Sequence, residues 1–317
     1  MKHILSFTFA LLLTALLPSC NNNADTSDTD AADSTATMTI AVLPTTDCLP
    51  FYVAEQCGIF DTLGLDARLV TYGSAMDADT AFCRGAADCV VTDLVKAVLW
   101  HTQGDSISVV MSGDLHMALI TTSQSRLTNL KSIKEKIIAI TRHSALDYNA
   151  DRMLESIGMT TMDMNKPQIN DIALRAQMVV QNQYDGALLP EPYATQCMAL
   201  GAHSVATTDS LPSALTQFVV VTHKPWEEKH EKDIDLLIQA YNMAVEKINN
   251  SRESHAAKLL NRLPLERPMA DSLAQVPTFK PASQTQESDI DNVLKWTQTR
   301  NIAGKRTDFS GLLRTLK

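Results

Sequence analysis

Aromatic residues make up only 5% of this 317-residue chain, and its 27 lysines and arginines are outnumbered by 36 aspartates and glutamates. So little aromatic surface excludes a stacking platform for single-stranded nucleic acid. The formal net charge of -9 excludes the basic footprint that a phosphate backbone selects. No polybasic cluster is present to hold a membrane surface. No cysteine pair is spaced as CxxC and the histidines are scattered, so no metal motif is legible and no metal or cofactor is expected. Nor does any apolar run reach the roughly 18 to 20 residues of a spanning helix. What remains is 45% hydrophobic and 20% charged, an ordinary globular composition, long enough for two domains or lobes.

The first 20 residues read MKHILSFTFALLLTALLPSC. A basic start at Lys2 and His3, an apolar run from Ile4 to Leu17, and then Pro18-Ser19-Cys20 have the layout of an export signal. The Leu-x-Ser-Cys ending resembles the bacterial lipoprotein box, in which the cysteine is acylated and becomes residue one. That resemblance implies a signal peptide over 1–19, lipidation at Cys20 and a place in the cell envelope, facing the periplasm or the outside. The alternative is plain cleavage near Ser19. Residues 20–37, rich in Asn, Asp, Ser, Thr and Ala, cannot bury a core and read as a flexible tether. No lysine or arginine occurs between Cys20 and Arg68.

Beyond Cys20 the cysteines are Cys48, Cys57, Cys83, Cys89 and Cys197. The number is odd, so one or two disulfides leave at least one free thiol. Met159, Met162 and Met164 could be soft copper(I) ligands, but apolar packing of a loop is the stronger reading.

The body alternates short β-rich runs with helical patterns, as an α/β fold with mainly parallel strands does. Strands are predicted at 39–43, 67–72, 88–91, 107–111, 118–121, 137–141, 168–169, 186–189, 204–206 and 218–222. Helices are predicted at 50–56, 75–84, 92–101, 146–157 and 174–181. After Thr222, apolar residues at 234, 237, 238, 241, 245 and 248 form one stripe of a long helix. Shorter helices at 254–262, 268–275 and 288–299 follow, separated by Pro264, Pro268, Pro277 and Pro281. The C-terminal third is thus expected to pack as helices on the α/β body.

The order of motifs resembles extracytoplasmic solute-binding proteins of the nitrate, sulfonate, taurine and thiamine-precursor group. AVLPTTDCLPFYVAEQCGIFDTLGL at 41–65 is similar to that family's opening strand, loop and helix, with its Gly-Phe and Gly-Leu segments. Arg84-Gly85 with Asp88 resembles its Gly-x-x-Asp entry into the third strand. LTNLKSIKEKIIAI at 127–140 resembles its Leu-x-x-Leu-Lys-Gly-Lys segment, with Ser132-Ile133-Lys134 in place of the glycine. Asp185-Gly186-Ala187 and Glu191-Pro192-Tyr193 resemble its second-lobe signature, and Pro225-Trp226 its lead into the C-terminal helices. The resemblance spans about 38–300. It implies a two-lobed type 2 periplasmic-binding-protein fold, with lobe one at 38–121 plus 214–317, lobe two at 122–213, and hinges near Thr121–Thr122 and Ser213–Gln217. It also implies a monomer that hands a small-molecule solute to an ABC-type permease and ATPase, is anchored to the membrane by its lipid, and is not an enzyme. Two alternatives stand beside it: an enzyme of pyrimidine or menaquinone precursor synthesis on the same scaffold, or a ligand-sensing lipoprotein without a transporter.

In such sheets ligands lie beyond the carboxyl ends of strands, where helix N-termini point. The candidate ligand-binding residues are therefore Thr46, Asp47, Ser74, Thr92 and Asp93 in lobe one, and Arg142, His143, Ser144 and Glu191 in lobe two. Asp47 is equally readable as a helix cap, Thr92 and Asp93 as an N-cap pair, Arg142 as a solvated rim residue and Glu191 as a hinge-side hydrogen-bonder. Cys48 has no histidine on its own loop to serve as a base, which disfavours a nucleophilic role. Three carboxylates against one arginine predict a donor-rich or cationic solute, because uncompensated like charges in a partly dry cleft cost on the order of a few kcal/mol.

Overall fold

The computed structural model describes residues 37–125, 127–250 and 277–316. The export signal, Cys20, all but the last residue of the tether and the helices expected at 254–262 and 268–275 lie outside these residues. Among the described residues nine strands form two sheets, ordered β2-β1-β3-β9-β4 and β6-β7-β5-β8. The first contains β1 (Met38–Val42), β2 (Ala67–Thr71), β3 (Cys89–Asp93), β4 (Ile107–Asp114) and β9 (Gln217–His223). The second contains β5 (Met117–Thr121), β6 (Ile138–Ala139), β7 (Gly186–Pro190) and β8 (His203–Thr207). The helices are α1 (Leu49–Gln56), α2 (Ile59–Leu63), α3 (Ala75–Cys83), α4 (Leu94–Gln103), α5 (Ala145–Glu155) and α6 (Ile172–Val180). They continue with α7 (Tyr193–Ala199), α8 (Lys224–Glu227), α9 (Glu231–Asn250) and α10 (Glu287–Thr299).

The sheets are mixed, not mainly parallel as the alternation of elements predicts. β1 runs parallel to β2 and β3, and β6 to β7. β9 is antiparallel to both β3 and β4, and β5 to both β7 and β8. A parallel pair needs a long crossover, normally a helix. β5 and β9 are the strands by which the chain changes sheets; neither follows such a crossover from its neighbours, and both insert antiparallel.

The first change of sheet occurs at Leu115–His116, between β4 and β5. That is earlier than the boundary at 121–122, and it puts all of β5 in the second sheet. The return runs from Thr207 to Gln217. The two crossing segments lie side by side, Leu115 N donating to Thr216 O at 2.8 Å. Buried Asn149 of α5 fixes the return segment through both amide atoms, accepting from Leu215 N at 2.7 Å and donating to Leu215 O at 2.9 Å. Residues 137–141 supply only a two-residue strand, and Gln168 makes one isolated bridge to Ile140.

The interior strands read as continuous apolar runs because both faces are covered. β3 is buried throughout, and so is the Phe218–Thr222 centre of β9. Ile234, Leu237, Tyr241, Val245 and Ile248 of α9 are buried as the stripe predicts, while Ile238 sits at its partly buried edge. Each such side chain contributes about 1.5–3 kcal/mol by burial. Tyr241 meets Phe51 and Phe218 at ring-centroid separations of 5.2 and 6.1 Å. The cluster presses on Gly113, where an added Cβ would stand 2.4 Å from the Phe218 ring and 2.7 Å from the Tyr241 hydroxyl. Helix α10 packs on α4, and the segment beyond it stays on the first sheet. There Gly304 N donates to Thr102 Oγ1 at 2.9 Å and Leu313 bridges Val109 of β4.

Candidate functional site

A cavity of about 50 Å³ lies between the two sheets. Leu43, Asp47, Ala75, Thr92, Asp93 and Phe218 wall it on the first-sheet side. Met117, Thr141, Leu146, Ile172, Arg175 and Pro190 wall it on the second, with Leu115 at the crossing. Asp93 ends β3 and Pro190 ends β7, so the cavity occupies the carboxyl ends of strands from both sheets. The two halves are closed over it. Thr46 N donates to Glu191 O at 2.8 Å, and Ile172 N to Gly73 O at 3.2 Å.

Of the candidate residues, Asp47, Thr92 and Asp93 line the cavity. Asp47 sits in a short 3-10 turn at Thr46–Cys48. Burial pushes its carboxyl above the usual range, and the Thr45 hydroxyl with its own backbone N–H opposes this only in part. Asp93 caps α4, accepting from Lys96 N at 3.1 Å; burial again raises its carboxyl, with the Lys96 charge opposing. Thr92 donates to Asp79 Oδ1 at 2.8 Å. Behind it, burial together with the Asp93 charge pushes the Asp79 carboxyl up to about 7, against Lys96 at 3.8 Å.

The remaining candidates do not line the cavity. Thr46 crosses to the second half through its backbone only. Ser74 and Ser144 are spent on helix capping: Ser74 Oγ accepts from Asp77 N at 3.1 Å, and Ser144 Oγ from Leu146 N at 3.2 Å. Glu191 Oε2 accepts from Thr195 N at 3.0 Å, which ties the carboxylate to the first turn of α7. Arg142 is exposed and donates to Lys166 O. His143 adopts φ 54°, a reversal that puts both residues on a separate outer groove with Asp147, Lys166 and Arg300.

Arg175 is the cavity residue that the loop-based reading missed. It lies within α6, on the face shared by the buried residues Ile172, Ala176 and Val179. An arginine at core spacing in an apolar helix is the signal that marks it. It is 1% exposed, and burial pulls its guanidinium down to about 10, Asp171 opposing. Nη1 donates to Thr141 Oγ1 at 3.0 Å and Ile169 O at 2.6 Å. Buried Nε has no hydrogen-bond partner, and no carboxylate among the described residues lies within ion-pair distance.

Cys48, Cys83, Cys89 and Cys197 are free thiols. Burial, reinforced by the Asp47 charge, pushes the Cys48 thiol well above its ordinary value, the opposite of what a nucleophile requires. Met164 is buried while Met162 is 89% exposed, so the three methionines do not converge. Among the described residues no three His, Cys, Asp or Glu side chains cluster as metal ligands, and no helix is long and apolar enough to cross a membrane.

The sequence profile of the NMT1-like family matches residues 31–262. No curated protein sequence matches the chain. Among solved structures, the alkanesulfonate-binding protein SsuA from Xanthomonas axonopodis pv. citri bound to MOPS superposes with a TM-score of 0.74 at 14% identity, covering 87% of this chain and 97% of that one. A ligand-binding component of an ABC-type import system from Staphylococcus aureus, with zinc bound, gives 0.72 at 13% identity, covering 87% and 96%. The periplasmic nitrate-binding protein NrtA from Synechocystis PCC 6803 gives 0.72 at 13% identity, covering 87% and 86%. At such identities the likeness is one of fold.

Proposed function

The chain belongs to the NMT1-like family, and on that premise we propose that it is the lipid-anchored, extracytoplasmic solute-binding component of an ABC-type importer. It captures a small polar or nitrogen-containing solute between its two sheets and passes it to permease and ATPase subunits. The observation that carries this reading is the cavity at the carboxyl ends of strands from both sheets, between halves that the described chain crosses in two adjacent segments. Such a connection lets the halves open and close about the paired segments at Leu115 and Thr216. The alkanesulfonate-binding, nitrate-binding and import-system proteins that share its fold support it.

The anchor rests on Cys20 and the polar tether behind it. Two or three acyl chains at one cysteine hold a protein stably where a single chain holds it marginally. Native mass spectrometry of the purified full chain tests the binding role. A bound small molecule lost on mild denaturation is the expected result, and a ligand-free chain that binds no solute in calorimetry refutes it.

A further inference from the structure

We propose that the solute of this cleft is a small zwitterion, its anionic end held by the Nε–Nη2 edge of Arg175 and its ammonium end facing the carboxylates of Asp47 and Asp93. The inference rests on the solute-binding reading of the cavity and adds the polarity of its ligand.

Both hydrogen bonds of the Arg175 side chain leave from Nη1, to neutral partners, Thr141 Oγ1 and Ile169 O. That leaves Nε and Nη2, the edge with the fork geometry that matches a carboxylate or sulfonate, without a hydrogen bond to the described residues. A guanidinium that is 1% exposed and without a counter-ion is costly, and a buried charge is retained where something pairs with it. Asp171 is the acidic side chain that acts on it most, and that carboxylate already accepts from Leu174 N at 2.7 Å as the cap of α6.

The opposite wall has the complementary deficit. Asp47 and Asp93 both line the cavity, and neither makes an ion pair among the described residues. Lys96 reaches Asp93 through its backbone N–H, while its ammonium lies 3.8 Å from Asp79. From side chains the Asp47 carboxylate has only neutral company, the Thr45 hydroxyl and the weak Cys48 thiol at 3.7 Å. Unpaired charges of both signs therefore border one cavity. A simple anion would satisfy Arg175 and meet two carboxylates; a simple cation would do the reverse. One molecule carrying both groups compensates both walls. The volume sets its size. About 50 Å³ is room for roughly four water-sized groups, so the chain between the two charged ends is short, and the smallest zwitterions of the series fit best.

The experiment is calorimetry and thermal shift on the full chain after dialysis, with glycine, β-alanine, γ-aminobutyrate and taurine. Propylamine, propionate and ethanesulfonate serve as single-ended controls. At least one zwitterion is expected to bind while its single-ended counterparts at equal concentration do not. Carboxylate and sulfonate members of the panel decide which oxyanion the fork prefers. Arg175→Gln is expected to weaken the zwitterion by roughly tenfold to a hundredfold, and Asp47→Asn to weaken it in the same sense. Arg175→Lys, which keeps the charge and loses the fork, is expected to fall between wild type and Arg175→Gln. Unliganded melting curves show which variants fold, and Asp47→Asn carries the test if the arginine variants do not. Single-ended controls that bind as tightly as the zwitterions overturn the proposal, as does unchanged affinity in folded variants. If no panel member binds, the polarity reading falls, while a different small molecule found by native mass spectrometry leaves the importer reading standing.

Discussion

Asp151 of α5 offers the sharpest stability test, because one carboxylate there ties the second-sheet half of the protein to the C-terminal helix. It is 4% exposed, accepts from Lys166 Nζ at 2.7 Å and Trp296 Nε1 at 2.7 Å, and pairs with Arg300. Trp296 packs edge-on against Tyr148 at 5.6 Å, and the Arg300 guanidinium lies over the Trp296 ring at 4.6 Å. Asp151→Asn keeps the shape and removes the charge. Breaking a buried pair from one side costs about 3–5 kcal/mol. The low end applies here, since Lys166 keeps Asp147 at 2.5 Å and the Arg300 side chain is 23% exposed. A loss of about 3 kcal/mol lowers the melting temperature by about 6–12 °C in a body of this size. The pH dependence gives a second check. Burial raises the Asp151 carboxyl, but Lys166, Trp296 and Arg300 together outweigh it and hold it below the usual value. A depressed carboxyl contributes stability that is full above its unfolded pKa of about 3.9 and is lost as pH falls through the folded value. The gap between wild type and Asp151→Asn should therefore be constant from neutral pH down to about pH 5, then narrow in more acid solution. Thermal melts across that range, followed by tryptophan fluorescence, measure it. Melting temperatures that coincide at neutral pH, or a gap that does not narrow in acid, refute the reasoning.

Three further outcomes are expected. Gly113→Ala forces a methyl into the Phe218 ring at 2.4 Å and should destabilise by about 1–3 kcal/mol through overpacking, read from urea unfolding; a neutral result means the aromatic cluster yields freely. In the native chain a thiol reagent should modify exposed Cys83 fastest while buried Cys48, Cys89 and Cys197 react only on unfolding, so Cys83→Ser should slow the native-state reaction. Cys20→Ala should move the protein from the membrane to the soluble fraction, and unchanged fractionation would exclude the lipid anchor.

Most of the fold was legible because its signals are local. Strand β3 and the long helix α9 follow from apolar runs and a 3.6-residue stripe, and Asp93, Ser74 and Ser144 are ordinary helix starters. Strand direction was not legible, because it depends on where the chain enters a sheet, and β5 and β9 enter from the other half. The position of the first crossing was lost for the same reason. Nothing in Leu115-His116 differs from its neighbours except that the pairing partner changes.

The site divides along the same line, and the division changes its chemistry. A loop after a strand end shows in sequence, so Asp47, Thr92 and Asp93 could be named. Whether a loop residue then turns inward depends on its other hydrogen bonds. Arg142 is drawn outward to the Lys166 carbonyl and Glu191 is drawn to the Thr195 N–H, while Arg175, hidden in a helix, lines the cavity. Counting charges by loop gives three carboxylates to one arginine and favours a cation. Counting them at the cavity exchanges Arg142 for Arg175 and drops Glu191. Two unpaired carboxylates then face one unpaired guanidinium. A purely cationic solute would leave that guanidinium buried and alone, so the balance that favours an ammonium also requires an oxyanion in the same molecule.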